Sequence, residues 1–295
     1  MDCNNDCLFC SIPKKEVSLT YEEICRKIDR YKKDGFDQVT ITGGEPTLHP
    51  DLIRIIEYIK KNGMAARLVT NGTQLTEERI RQLIDAKLNY LTFSVHTLDG
   101  KKAKIISDNT DYDLSKVISM VKYAVKKGLH VYYNITITKM NYKELPDIAK
   151  FIVKELSGIH MINFNYVDIW GNTALEKNKD EMSVRYYLAE LYFIEAFNIL
   201  KKNNVNFRAE RIPLCYLVGF EEYSSDYNRI TNLEEPKTDF IERNVVEVTG
   251  KDYKKGDACK SCRYSKNCFG LANHYADTYG FKELYPIFNE IKEII

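Results

Sequence analysis

Strand-like and helix-like runs alternate singly along most of this chain, and that alternation constrains its fold more than any other feature. Strand-like runs fall at 38–42, 65–70, 90–95, 130–137 and 161–167, and helix patterns at 51–62, 76–87, 113–127, 143–156 and 181–203. Before the first strand, Thr20-Tyr21-Glu22-Glu23 has the form of a capping box. Ile24, Ile28 and Tyr31 then share one helix face, and Gly35 supplies a stop. Strands separated by single helices pair in parallel through right-handed crossovers. There are too few units for a closed eight-fold barrel, so a partial six-strand βα barrel is expected over residues 1–208. Past 208 the pattern breaks. Residues 221–257 are rich in Glu, Asp, Asn and Lys with little periodicity, and 209–295 is expected to be a small irregular extension.

Composition narrows the function. A chain of 295 residues buries a core large enough for one domain plus an appendage. Lys+Arg 43 against Asp+Glu 42 gives a net charge of +1, which provides no global field for nucleic acid or an anionic membrane. The apolar runs are too short to span a bilayer, and no targeting segment is visible, so a cytoplasmic protein is expected. Eight cysteines without a secretory signal point to metal or redox cofactors rather than disulfides.

Three of those cysteines crowd the start: Cys3, Cys7 and Cys10, spaced C-x3-C-x2-C. Three thiolates on one short loop can hold three irons of a 4Fe–4S cluster and leave the fourth iron open for a small ligand. Zinc is the alternative that spacing leaves open, although a structural zinc site wants four ligands and the nearest further cysteine is Cys25. Downstream, Gln38-Val39-Thr40-Ile41-Thr42 runs straight into Gly43-Gly44-Glu45-Pro46. A Gly-Gly pair after a strand is by itself only a turn; a cysteine triad upstream of a strand ending in GGEP is far more specific.

The combination resembles the radical S-adenosylmethionine (radical SAM) superfamily, over nearly the whole chain. The resemblance implies an α/β fold, a partial (β/α)6 TIM-like barrel, with an iron–sulfur extension at the C-terminus. It implies a 4Fe–4S cluster on Cys3, Cys7 and Cys10 that chelates S-adenosylmethionine (SAM), cleaves it reductively and yields a 5′-deoxyadenosyl radical that abstracts hydrogen from substrate. It further implies cofactor contacts at Phe9 (adenine packing), Gly43 and Gly44 (methionine amino group), Glu45, Pro46, Ser94 (ribose) and Asn134. An external electron donor of flavodoxin or ferredoxin type is implied as a partner. The family also has a first strand just before the cysteine loop. Only Met1 and Asp2 precede Cys3 here, so that strand is trimmed, misassigned or lacking, and its loss would expose a sheet edge beside the site.

Bland readings stand beside several of these. Phe9 packs as an ordinary large apolar group, and Trp170 either shapes the substrate pocket or packs likewise. Asn134 interrupts an apolar strand and needs a hydrogen-bond partner, either cofactor or backbone. His49 reads as structural. His96, two residues past Ser94, faces the same rim. Asn71-Gly72 is a turn signal at a strand end. Cys25 lies on the buried stripe of the first helix.

The last signal is Cys259, Cys262 and Cys268, spaced C-x2-C-x5-C. It resembles the C-terminal extension called SPASM, or its shorter twitch relative. The SPASM pattern's next cysteine is replaced by Ala272, and Cys215 is the one further cysteine nearby. The resemblance therefore implies one auxiliary 4Fe–4S cluster on Cys215, Cys259, Cys262 and Cys268, with a four-cysteine zinc knuckle as the alternative. The basic stretch from Lys251 to Lys266 reads as a solvated face. The expected substrate is a peptide or protein, although no leader-binding domain precedes the triad. A small metabolite or cofactor precursor is the enzyme-class alternative. A non-catalytic iron–sulfur carrier or sensor is the other class, and the open triad and the GGEP count against it.

Overall fold

The computed structural model describes residues 2–10, 19–167, 177–231 and 252–288. Helix α1 (Tyr21–Lys33) opens with the anticipated capping box: Thr20 Oγ1 accepts from the Glu23 amide, and Glu23 Oε2 accepts from the Thr20 amide at 2.8 Å. There follow β1 (Gln38–Ile41), α2 (Leu52–Lys61), β2 (Ala65–Thr70), α3 (Glu77–Asp85), β3 (Tyr90–Ser94), α4 (Gly100–Ser107) and α5 (Leu114–Lys126). Then come β4 (His130–Ile137), α6 (Leu145–Glu155), β5 (Met161–Tyr166), α7 (Lys179–Met182), α8 (Tyr186–Lys202) and β6 (Phe207–Glu210). The six strands form one parallel sheet in the order β1-β2-β3-β4-β5-β6. This is the α/β partial barrel that the alternation predicts.

One face of the sheet is buried against the helices by alternate residues, among them Leu68, Phe93, Tyr133, Ile135, Phe164 and Phe207. Phe197 of α8 stacks on Phe207 at 4.8 Å and meets Phe164 edge-on at 5.0 Å. Each such side chain taken from water contributes roughly 1.5–3 kcal/mol. The intervening residues Arg67, Ser94, Asn134, Thr136, Asn163 and Asn165 are half-buried and polar, and they face the open side.

Four elements differ from the sequence reading. The helix expected over 181–203 is split, because Ser183 and Arg185 are extended. Met182 O accepts from the Lys139 amide at 2.8 Å and Val184 O from the Tyr166 hydroxyl at 3.0 Å, so this stretch bonds to other elements instead. Helix α4 went unread, since Gly100 and a run of lysines blur its periodicity. Its start is fixed by Asp99, whose Oδ1 accepts from the Lys101 and Lys102 amides at 2.8 and 3.1 Å. Strand β6 was likewise not singled out. Finally, the stretch expected to be irregular over 221–257 contains a short helix, α9 (Ser225–Thr231).

The C-terminal part carries a two-residue antiparallel pair, β7 (Tyr253–Lys254) with β8 (Leu271–Ala272), and helix α10 (Asn273–Tyr279). Gly270 is held at φ +97°, and a Cβ there would lie 2.3 Å from Lys254 O, so only glycine lets this pair close. Leu271, Tyr275 and Leu284 are buried in the same apolar cluster as the sheet core. No helix among the described residues is long and apolar enough to cross a membrane.

Candidate active site

The carboxyl ends of the strands open onto a cavity of about 310 Å³. Its wall includes Cys3, Cys7, Phe9 and Cys10 from the first loop, Gly43, Gly44 and Glu45 after β1, Ser94 and His96 at the end of β3, and Asn134 of β4. Residues from the first loop to the end of β4 and beyond meet here because a parallel sheet gathers its strand ends on one rim. Pro46 begins the one-turn helix Pro46–Leu48 that closes the Gly43–Glu45 turn. Trp170 lies outside the described residues, as does Lys251 of the basic stretch.

Backbone and side-chain amide hydrogen bonds dock the cysteine loop. The Asp6 amide donates to Ser107 O at 2.9 Å and the Leu8 amide to Ile106 O at 3.0 Å, which rests the loop on the C-terminal end of α4. Asn109 Nδ2 donates to Asn4 O at 3.1 Å and to Asn5 Oδ1 at 2.8 Å. Asn71 Nδ2 donates to Asn4 Oδ1 at 2.9 Å, so the Asn-Gly turn after β2 is also a loop anchor. The amide of Glu45 donates to Asp2 O at 2.8 Å, which lays the chain before Cys3 alongside the end of edge strand β1. Burial, then the neighbouring Cys10 and Cys3, push the Cys7 thiol up to about 12. Thiolates crowded on one loop would repel one another, and a polycationic partner would favour those deprotonated forms.

Glu45 is buried, and its carboxylate accepts from the Thr47 amide (3.1 Å), Thr47 Oγ1 (2.5 Å), Thr70 Oγ1 (2.6 Å) and the Asn71 amide (2.7 Å). These bonds tie the GGEP turn to the end of β2. Gly43 stands at φ +133°, which only glycine adopts freely. Replacing Glu45 by Ala strands those donors in a buried site, and a loss of about 3 kcal/mol or more is expected in urea unfolding of the metal-free chain.

His96 Nδ1 accepts from the Thr136 amide at 3.0 Å, which places the ring proton on Nε2, and its ring meets Phe9 edge-on at 4.6 Å. Desolvation pushes its imidazolium down to about 4. The unfolded chain therefore binds a proton below about pH 6.5 that the folded chain refuses until about pH 4. Stability is predicted to fall as pH drops through that window, by about 2 kcal/mol from this residue between pH 6.5 and 5. Urea titrations of wild type and His96→Asn at both pH values check this; equal slopes would remove His96 as the cause.

Two wall residues were invisible in the sequence. Asn165 Nδ2 donates to Asn134 Oδ1 at 2.5 Å, so the partner that Asn134 required is a side chain of the next strand. Arg211 follows β6 with φ +60°, rare for a non-glycine residue. Its amide donates to the buried Asp226 carboxylate, and its carbonyl accepts from the Tyr186 hydroxyl at 2.6 Å. Backbone strain of this kind persists where the surroundings over-determine it. His49 is structural, as read: its Nδ1 accepts from the Asp51 amide and its Nε2 donates to Leu19 O, both at 3.1 Å. Cys25 neighbours Tyr21 on α1.

Cys215, Cys259, Cys262 and Cys268 lie together beyond β6. Burial, with Cys268, Cys259 and Cys262 adding to it, pushes the buried Cys215 thiol up to about 12. Backbone amides point at the sulfurs: Gly270 to Cys268 Sγ at 3.3 Å, Ile287 to Cys262 Sγ at 3.4 Å, Leu214 to Cys268 and Tyr285 to Cys215. Such N–H···S contacts favour thiolates. Among the described residues, no three His, Cys, Asp or Glu side chains converge as they do around a single ion.

Comparison with known proteins agrees with this geometry. The model of the radical SAM superfamily matches residues 2–152. GTP 3′,8-cyclase of Aquifex aeolicus is 36% identical over 177 residues, covering 57% of this chain and 54% of that one; the chain spans about half the length of the curated relatives it matches. The structure of native anSMEcpe with bound AdoMet superposes at a TM-score of 0.65 with 15% identity, over 98% of this chain and 90% of that one. Streptococcus suis SuiB gives a TM-score of 0.60 with 20% identity, over 80% of this chain and 51% of that one. A parallel six-strand sheet, a three-cysteine loop docked on its rim beside a GGEP turn, and a family match over half the chain lead to one conclusion: this protein belongs to the radical SAM superfamily.

Proposed function

We propose that this enzyme uses Cys3, Cys7 and Cys10 to hold a SAM-binding 4Fe–4S cluster, and Phe9, Gly43, Gly44, Glu45, Pro46, Ser94 and Asn134 to seat SAM, in order to abstract hydrogen from a peptide or protein substrate. The observation that carries this reading is that the triad, the GGEP turn, Ser94 and Asn134 all line one cavity of about 310 Å³. Bound there, such a cluster supplies the electron that splits SAM and releases a 5′-deoxyadenosyl radical. The chain's own residues do the rest. The open Gly43-Gly44 backbone admits a ligand closely, the Ser94 hydroxyl and the Asn134 amide face it, and Phe9 against His96 forms an aromatic wall. Cys215, Cys259, Cys262 and Cys268 hold an auxiliary cluster in this reading, which takes or relays an electron. The catalytic barrel runs through the end of β6 at Glu210, two residues past the expected boundary at 208, and the auxiliary unit follows it; a flavodoxin- or ferredoxin-type protein is the external donor.

The peptide substrate is supported by the likeness in fold to anSMEcpe, which has been seen with the Kp18Cys peptide over 92% of this chain. A second reading, a nucleotide or other small anionic substrate, is favoured by the identity to GTP 3′,8-cyclase and by Arg211 in the cavity wall. The test is anaerobic reconstitution, metal analysis and a 5′-deoxyadenosine assay after dithionite reduction, with neighbouring-gene peptides or GTP added. About eight irons and peptide-stimulated 5′-deoxyadenosine are expected. Stimulation by GTP alone would move the assignment to the second reading, and no 5′-deoxyadenosine under any condition would sink both.

A further inference from the structure

Between the cavity and the C-terminal cysteines lies an unbroken column of buried tyrosines. Tyr166, at the end of β5, lines the cavity. Its ring lies 4.2 Å from that of Tyr186 at an interplanar angle of 31°, and Tyr186 lies 5.4 Å from Tyr216 at 32°. Tyr216 is covalently next to Cys215. Its ring also meets Tyr285 at 5.2 Å, and the Tyr285 amide donates to the Cys215 sulfur. Tyr166, Tyr186 and Tyr216 are each 1–2% exposed. Three tilted rings in succession, with one end on each site, are more than apolar filling requires. Burying hydroxyls in a core where phenylalanine would pack also imposes a need for partners.

We infer that Tyr166, Tyr186 and Tyr216 form an electron conduit from the catalytic cavity to the four-cysteine site; this rests on that site holding an iron–sulfur cluster. One electron leaves the substrate carbon radical in the cavity. The resulting cation releases a proton to water, and the same electron reduces the oxidised iron–sulfur group on Cys215, Cys259, Cys262 and Cys268. No proton travels along the column. Tyr166 donates to Val184 O at 3.0 Å, Tyr186 to Arg211 O at 2.6 Å and Tyr216 to Glu283 O at 2.6 Å, and a backbone carbonyl is no base. Desolvation raises all three phenols further above their ordinary range. The rings thus carry the electron as contiguous π-matter without becoming tyrosyl radicals. Tyr275 is a side branch: its ring lies 4.5 Å from Tyr186, but its hydroxyl ends on Glu283 Oε1 at 2.7 Å.

The test needs no substrate. In the full chain carrying Cys7→Ala, Cys10→Ala and Cys25→Ser, Cys3 is the thiol at the cavity and is labelled with a ruthenium polypyridyl maleimide after reconstitution of the C-terminal site. Flash photoreduction is followed by transient absorption and electron paramagnetic resonance of that cluster. The parent is expected to hold about four irons and to show rapid transfer. Tyr186→Leu and Tyr216→Leu each leave a gap where a ring bridged, and are expected to slow transfer by roughly tenfold or more at unchanged iron content. Tyr186→Phe keeps the ring and the rate, and Tyr275→Leu, an equal loss of core off the path, leaves the rate alone. Parent-like rates in both Leu variants overturn the conduit, as does equal slowing by Tyr275→Leu or Tyr186→Phe. A parent that holds zinc or no metal overturns the conduit together with the auxiliary-cluster reading, and iron analysis separates that result from the others.

Discussion

Cys3→Ala, Cys7→Ala and Cys10→Ala combined abolish reductive SAM cleavage: 5′-deoxyadenosine after dithionite reduction falls to background. The loss is chemical rather than structural. The loop is held by the Asp6–Ser107 and Leu8–Ile106 backbone bonds and by Asn71 and Asn109, none of which uses a sulfur. All three cysteines are only partly buried, so removing them costs little packing. The melting temperature of the metal-free triple variant should therefore stay within a few degrees of wild type, given roughly 2–4 °C per kcal/mol for a chain of this size class. Retained cleavage would mean that the reducing centre lies elsewhere.

Cys259→Ala is expected to remove about four irons while substrate-free SAM cleavage largely persists. Cys259 is the cysteine of the proposed site to test first because it sits on the exterior turn Asp257–Ser261 and is only partly buried. Cys215, by contrast, is buried in the apolar cluster, and its truncation adds a packing defect. Unchanged iron would remove the auxiliary cluster from the reading, and zinc found in the wild type in place of iron would make this site a structural knuckle.

How much of this was legible in the sequence follows from what each feature depends on. The strand over 130–137 was read to the residue, and β2 likewise, because β-branched and aromatic runs bounded by Gly or turn residues are local signals. The start of α1 was equally plain, since Thr20 and Glu23 cap within one turn. Helix α4 was missed for the same reason inverted: Gly100 and the lysines around it give no clear stripe, and several of its partners, Glu144 on Lys102 and the cysteine loop on Ile106 and Ser107, lie far away in the chain. The split between α7 and α8 depends on carbonyls claimed by Lys139 and Tyr166, which no local pattern announces.

The sequence by itself determined most of the strand and helix order, the parallel sheet those elements must form, and the spacing of the two cysteine groups, because periodicity, capping and motif spacing act over a few residues. Only the tertiary structure decided that Glu45 is engaged by Thr47, Thr70 and Asn71, that Asn165 completes Asn134, and that Asp226 and Tyr186 hold Arg211 in a left-handed conformation at the cavity wall. It also decided that the rings of Tyr166, Tyr186 and Tyr216 follow one another between the two sites. These are contacts between residues brought together by strand order and helix packing. Their energies come from burial and mutual satisfaction of polar groups across the fold, and such pairings leave no period in the chain for a reader to find.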